Sequence, residues 1–531
     1  MVRIHADADF SIDSKRLALI SAYAVVIGVM AALLAKVLLV LIGLITHMAY
    51  FGSFGTRLVQ PDPHHWGPMA IAIPAVGGLI VGLIARFGSE KIRGHGIPEA
   101  IQSILDRESV IQARVALWKP IASAITIGSG APFGAEGPII MTGGAFGSLI
   151  GQYLHLSAME RRTLLVAGAA GGMAATFGAP IASVLIAVEL LLFEWRPRSF
   201  IPVAIAAFVA EIMRTRLIGA QVPFALAAPH DVPMSWIGYA VIVGVAGGIV
   251  SLVMTRLVYA TEDAYAKLPV HWMWWPAIGG LVVGIGGWFV PAALGVGYAT
   301  ISGLVNGHLA IGIVAGIISV KIIIWIASLS SGTSGGVLAP LLMIGASMGT
   351  LIALVIPGHD SSTWAIVGMA ALMGGTMRAP FMATFFALET THAWSLAPEV
   401  FVGCVAATAC TVVLVPRSIL TEKLARRGMH VAREYSVHPL ELIAVREIMR
   451  TRNLDAQPKH AVHADDRVRS AANIMARTGH RTLAVIDENE RWIGTIHFDD
   501  FLPAWRKGLR AEAHRKRLRR IRIAKRPIPR K

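Results

Sequence analysis

The chain has 531 residues, of which 55% are hydrophobic and only 15% charged, whereas soluble domains carry roughly 25% charged residues. A soluble enzyme of this size is excluded. The formal net charge of +16 does not mark a nucleic-acid binder either, because residues 506–531 hold thirteen Lys or Arg against Glu512 alone and leave only +4 for the rest.

The N-terminus up to Lys15 and Arg16 lacks the short apolar stretch and small-residue cleavage site of a signal peptide. The first hydrophobic segment is therefore expected to be retained. It runs from Leu17 to Met48 with Lys36 as its only charge, longer than the about 20 apolar residues that cross a bilayer. Further apolar segments lie near 69–87, 139–155, 163–193, 200–218, 235–259, 273–294, 309–328, 340–356, 363–392 and 399–415. Gly and Pro break them at 94–98, 128–138, 178–180, 331–340 and 378–380. Broken backbone at membrane depth is tolerated only where protein buries it or where it lines a wet cavity, so the pattern is that of a transporter or channel. Trp272, Trp274 and Trp275 before Pro276 read either as an interfacial belt or as a packed cluster. Cys404 and Cys410 share one apolar run, where neither a disulfide nor a metal site is expected. No cofactor is predicted.

The chain repeats itself. At an offset of 200, Gly168–Leu190 lies over Gly368–Thr390 with eight identities, among them Pro180/Pro380 and Glu189/Glu389. At an offset of 202, Gly130–Ile150 lies over Gly332–Ile352 with eight more, among them Gly134/Gly336 and Pro138/Pro340. The membrane part, residues 1–430, is thus two homologous halves, about 17–218 and 235–428, and broken segments at matching places point to a midplane binding site. The predicted fold class is an all-α polytopic membrane protein of two inverted-topology repeats with broken helices, followed by a small α/β cytoplasmic unit at 431–505 and a basic tail at 506–531. In that unit a helix is expected at Arg467–Thr478 and a hairpin turning at Glu488–Glu490. Lys15/Arg16, Arg426/Arg427 and the tail place both termini in the cytoplasm.

Three breaks share a form, a Gly-rich turn, a Pro and an apolar helix: Gly94-His95-Gly96-Ile97-Pro98-Glu99, Gly134-Ala135-Glu136-Gly137-Pro138 and Gly335-Gly336-Val337-Leu338-Ala339-Pro340. Pro suits the first helical turn, and Gly lets backbone amides approach a ligand. Each turn is a candidate helix N-terminus that holds an anion on partial charges, without trapping it on a full one. The repeat sets Glu136 opposite Leu338. An intramembrane carboxylate beside such amides reads as a tethered anion that fills the site when ionised and leaves when protonated or displaced; the alternative is a cap on its own helix. Glu189 and Glu389, at matched places, read as buried structural hydrogen-bonding groups. His95 either donates to the anion or bonds a neighbouring carbonyl.

These turns, in this order and on repeated halves, resemble the CLC family of chloride channels and chloride/proton antiporters. Gly94–Glu99 is similar to the family's GSGIPE motif, Gly134–Pro138 to GREGP or GKEGP, and Gly336–Pro340 to GxFxP, and the likeness covers roughly 17–428. The resemblance implies an inner-membrane homodimer with one anion pathway per subunit. It makes Glu136 the gating glutamate and gives the amides of Val337 and Leu338 to the central anion. His95 stands where the family usually has Ser, Ala135 replaces a basic residue, and Leu338 replaces Phe. Leu190 follows Glu189 where exchangers carry the internal proton-transfer glutamate, and the family's coordinating Tyr aligns with Leu420. Uncoupled chloride conduction therefore ranks ahead of antiport by a non-standard proton route, with Glu194 as a displaced proton acceptor or a surface residue. Selectivity among chloride, fluoride and nitrate is left open by His95 and Leu420. Val445–Phe501 is similar to a single CBS motif, which implies either pairing across the dimer around an adenine nucleotide or a purely structural domain. A hydrolase built on Ser129 or Ser331 is disfavoured, since no His sits at a matched helical position to activate either.

Overall fold

The computed structural model describes residues 14–502 apart from 107, 193, 228–231, 357–359, 427–439, 441–442 and 452–457. The predicted basic tail and Arg427 lie outside the described residues. The chain divides into a compact unit at Lys15–Arg433 and a second drawn chiefly from Glu434–Lys531.

The first unit is helical throughout. Its first half comprises α1 (Ser14–Thr46), α2 (Ala72–Phe87), α3 (Ile97–Asp106), α4 (Ala113–Gly128), α5 (Glu136–Tyr153), α6 (Ala158–Phe177), α7 (Pro180–Ile186) and α8 (Pro197–Leu217). The second half repeats the series as α9 (Ile237–Ala266), α10 (Trp275–Phe289), α11 (Tyr298–Val305), α12 (Ile311–Ser330), α13 (Leu338–Ala353), α14 (Ser361–Met377), α15 (Pro380–Thr391) and α16 (Ala397–Leu414), and α17 (Ile419–Arg426) follows. By length and composition, five helical runs among the described residues can cross a membrane: Ser14–Phe51, Pro63–Phe87, Met234–Ala266, Ile311–Ser330 and Trp394–Arg426. Large apolar side chains such as Val26, Ile212, Ile242 and Ile323 are more than half exposed, as a lipid-facing surface requires.

Reciprocal contacts relate the two halves. A side chain at Gly78 of α2 would begin 2.1 Å from the Pro276 carbonyl of α10, and one at Gly280 of α10 would begin 2.1 Å from the Pro74 carbonyl of α2. Only glycine permits so close a crossing, and the exchange of roles is what a two-fold relation produces. Glu189 and Glu389 make the same exchange. Glu189 accepts from the amides of Phe381 and Met382 at the start of α15 (3.4 and 2.8 Å), and Glu389 accepts from Ile181 and Ala182 at the start of α7 (3.0 and 2.8 Å). Each carboxylate caps the other half's helix, so the structural reading of this pair fits the geometry.

The long apolar segments 163–193 and 363–392 break as their sequences suggest. α6 and α14 end on left-handed residues, Gly178 and Arg378, and Pro180 and Pro380 open α7 and α15. Arg378 holds that conformation without being glycine, and its guanidinium is tied to the carbonyls of Thr411 and Val415. The helices α3, α4, α11 and α17 lie outside the apolar segments expected from the sequence. Three of these are only eight to ten residues long, too short to register as apolar spans.

The second unit is a four-stranded sheet with one helix. The strands β1 (Arg450–Thr451), β2 (Ala461–His463), β3 (Thr482–Ile486) and β4 (Trp492–His497) lie in the order β1-β4-β3-β2, with β2 parallel to β3 and the other pairs antiparallel. The helix α18 (Val468–Thr478) starts one residue inside the expected span, and the β3–β4 hairpin turns where expected. Val468, Ala471, Ile474 and Met475 on one face of α18 join Val462, Leu483, Val485 and Ile496 in a separate core.

Candidate functional site

The three Gly-rich turns meet. Gly134 and Gly336 form an antiparallel bridge, with Gly336 N–H donating to the Gly134 carbonyl at 3.0 Å and the return bond at 3.4 Å. Gly94 pairs with the same segment, its N–H donating to the Thr333 carbonyl at 3.1 Å. A Cβ on Gly137 would sit 2.0 Å from the His95 carbonyl, and one on Gly96 would sit 2.4 Å from the Gly137 carbonyl. These approaches, together with φ of 93° at Gly94 and 91° at Gly96, account for glycine in the first two turns. Gly94, His95, Gly96, Ile97, Pro98, Gly134, Ala135, Gly137, Pro138, Gly336, Val337, Leu338 and Ala339 are thus gathered in one buried place.

The geometry moves the donor role away from the glycines. The amides of Gly94, Gly134 and Gly336 close the bridges, and that of Gly96 donates to Glu99 at 2.9 Å. The glycines shape the turns, and their own amides are engaged within the protein. α5 begins at Glu136 and α13 at Leu338, with Ala135 and Val337 as their N-caps and no side-chain cap on either.

Glu136 lies between these two helix starts with no exposure. Its carboxylate folds back over Gly134 and reaches Gly336, where a Cβ would lie 2.6 Å from its Oε2. It faces the amides of Glu136 itself and of Ala339, and neither attains full hydrogen-bond geometry. The carboxylate thus lies against helix starts from both halves at once, where the helix dipoles favour negative charge.

Two buried lysines escaped the sequence reading. Lys119 of α4 donates to the carbonyls of Ile92 and Gly94 at 2.8 and 2.6 Å, and Lys321 of α12 donates to those of Ala293 and Gly295 at 2.9 and 3.1 Å. Neither is exposed at all. They are repeat equivalents, and the signal that could have found them was a charge recurring at the offset of 202 within apolar runs. Lys321 lies within electrostatic reach of Glu136, and Lys119 within reach of Glu99 and Lys423. Beside the Gly94 turn a cavity of about 390 Å³ is lined by Lys91, Arg93, Gly94, Glu99, Ser103 and Lys423, with Glu99 and Lys423 paired at 3.2 Å.

Apart from His95, which is within the cluster, the remaining positions fall outside the cluster of turns or carry no polar group to it. Leu190 is fully buried beside the capping Glu189. Glu194 accepts from Ser199 Oγ at 2.7 Å and pairs with Arg196 at 3.6 Å. Leu420 is buried in the first turn of α17, where Tyr259 Oη donates to the neighbouring Ile419 carbonyl at 2.5 Å. His95 is buried, with 3% exposure. Ser129 and Ser331 donate to the carbonyls of Thr126 and Ser328 near the ends of their helices, and neither bonds a histidine among the described residues. Arg93 stacks on Trp272 at 4.4 Å, whereas Trp274 is nearly half exposed, so the three tryptophans divide between packing and surface.

Residues 77–412 match the family model described as voltage gated chloride channel, and 445–507 match that of the CBS domain. The chain is 30% identical over 390 residues to the H(+)/Cl(-) exchange transporter ClcA of Salmonella typhimurium, covering 70% of this chain and 81% of that protein. It is 31% identical over 366 residues to the voltage-gated ClC-type chloride channel ClcB of Escherichia coli O6:H1, covering 67% and 87%. Among solved structures it resembles a slow cyanobacterial Cl-/H+ antiporter, with a TM-score of 0.69 at 22% identity over 77% of this chain and 97% of that one. With the broken, repeated helices and the meeting of the three turns, these matches show that the chain is an integral membrane protein of CLC-type anion transport and belongs to the CLC family.

Proposed function

We propose that the protein carries chloride through a pathway closed by Glu136, with the turns at Gly94–Pro98, Gly134–Pro138 and Gly336–Ala339 as its lining and the amides of Val337, Leu338 and Ala339 as anion donors. The observation that carries this reading is the Glu136 carboxylate lying between two helix starts, against the amide of Ala339. An anion competes for that place, and protonation removes the charge that holds the side chain there, so flux rises as pH falls. In proteoliposomes Glu136→Gln should lose most of this pH dependence; chloride flux and pH response unchanged from the parent would sink the proposal.

Transport without proton coupling is the first reading, because Leu190 offers no titratable group beside Glu189 and Glu194 is engaged with Ser199 and Arg196. The kinship with ClcA, an exchange transporter by name, supports proton antiport as the second reading. Chloride and pH electrodes on one proteoliposome preparation separate them, since uphill proton movement driven by a chloride gradient occurs only in an antiporter. The arrangement we infer is a homodimer in the cell's inner membrane with both termini cytoplasmic, which puts the Gly94 turn and its partner Lys423 on the cytoplasmic side. Two CBS units in such a dimer would hold adenine nucleotide between them, and calorimetric titration of the full-length protein with AMP tests this, heat of binding being required.

A further inference from the structure

The first helix marks where the membrane begins. Lys15 and Arg16 at the head of α1 are exposed, and from Leu19 onward the exposed side chains of that helix are apolar, Val25 and Val26 among them. The polar edge of the bilayer therefore passes through this turn. Arg16 pairs with Glu160 in the first turn of α6 through both carboxylate oxygens, so α6 enters at the same level. Two residues on, Arg162 donates to the carbonyl of Leu192, the last residue of the wide turn Ala187–Leu192 that follows α7. Arg162 is within electrostatic reach of Glu194, Arg196 and Arg198, the residues that lead into α8. The starts of α6 and α8 and the end of the α7 segment thus meet at the membrane edge.

Three guanidiniums share this junction with one carboxylate. Glu194 accepts from Ser199 Oγ at 2.7 Å and pairs with Arg196 at 3.6 Å, which leaves an excess of two positive charges. Arg162, Arg196 and Arg198 are each partly exposed. Trp195, next to Arg196, is 60% exposed, and its ring stacks on Phe200 at 5.0 Å. A large exposed aromatic beside cations is the side chain of a water–lipid boundary. The frame does not require these charges. At the offset of 200 the second half builds the same junction from α14, α15 and α16 with Ser362, Trp394, Leu396 and Pro398 in place of Arg162, Glu194, Arg196 and Arg198. Inverted repeats put that junction on the opposite face, so the basic cluster addresses one leaflet only.

We propose that this junction binds the phosphodiester headgroup of an anionic phospholipid, in the leaflet where α1 begins, with Arg196 and Arg198 as its contacts and Arg162 as the charge beneath them. A guanidinium presents a planar fork of donors that matches two phosphate oxygens. The bilayer is the source of the phosphate, because Leu19 and Trp195 are exposed at this level and a headgroup lies there already. The site stands apart from Glu136 and the three turns, and its occupant is held rather than carried.

The test uses the full-length protein in detergent, with bound phosphatidylglycerol and phosphatidylcholine counted by native mass spectrometry. Arg196→Gln with Arg198→Gln should weaken phosphatidylglycerol binding about thirtyfold, the loss expected for two charges at an anionic surface, and leave phosphatidylcholine binding unchanged. Arg57→Gln with Arg216→Gln removes the same charge from exposed positions, Arg216 lying at the far end of α8, and should alter neither. An equal loss in the two pairs would make the attraction one of net charge and overturn the site. Arg196→Lys with Arg198→Lys keeps the charge and should retain most of the binding; a loss as large as that of the Gln pair would assign both side chains to the fold instead. Displacement of the lipid by inorganic phosphate at comparable concentration would assign the cluster to a free anion, and the lipid site would fall.

Discussion

The two halves of the membrane unit are built alike, and the carboxylate we propose as the gate stands at a position where they part company. Gly78 and Gly280, Glu189 and Glu389, and Lys119 and Lys321 do the same job on each side. Glu136 against Leu338, Glu99 against Thr300, and Ile97 against Tyr298 do not match. Symmetric pairs form the frame, because a two-fold relation makes every frame contact twice. An ion path needs a direction and a gate, and these arise only where the symmetry is broken.

The largest test of that division is Glu136→Ala. Removing a carboxylate that competes for amide donors should raise chloride flux about tenfold or more, since each bond to a charged group is worth about 1.5–3 kcal/mol. Leu338→Glu, the mirror change, should not restore gating to that variant; recovery of wild-type flux would mean that the halves are interchangeable at this point. Next in size come the frame glycines. Gly78→Ala and Gly280→Ala should each lower stability by about 1–3 kcal/mol, because the new methyl meets a carbonyl at 2.1 Å in both cases. Thermal unfolding in detergent measures both, and a marked inequality would break the equivalence. Smaller again are Glu189→Ala and Glu389→Ala, each leaving two helix-start amides without their acceptor. A cost of about 1–2 kcal/mol is expected for either, with transport per folded molecule preserved. Selective loss of transport in Glu189→Ala alone would move that residue from the frame to the pathway.

Much of this frame was legible in the sequence, because a Gly-rich turn followed by Pro is a local signal and a repeat multiplies it. The α5 and α13 starts, the breaks at Gly178 and Arg378 and the β3–β4 hairpin were all readable on those terms. The donor assignment was not. Whether Gly96 offers its amide to an anion depends on Glu99, three residues on, turning back to accept it, and whether Gly336 does so depends on a carbonyl some two hundred residues earlier. The turn at Gly295 stayed hidden for another reason. It keeps only two glycines of the Gly94 turn and lacks the Pro, so its likeness shows in backbone angles and in the lysine beneath rather than in letters.

The grip of Lys119 and Lys321 on their turns also fixes direction. A trans peptide is planar, with its C=O and the next N–H pointing opposite ways. Turning the Gly94 and Gly295 carbonyls toward a buried ammonium therefore turns the His95 and Val296 amides away from it. Each lysine acts as the fixed end of a lever whose other end is a backbone dipole. The bilayer's low dielectric, which makes a lone ammonium costly, is met by two carbonyls on one side and yields an oriented N–H on the other.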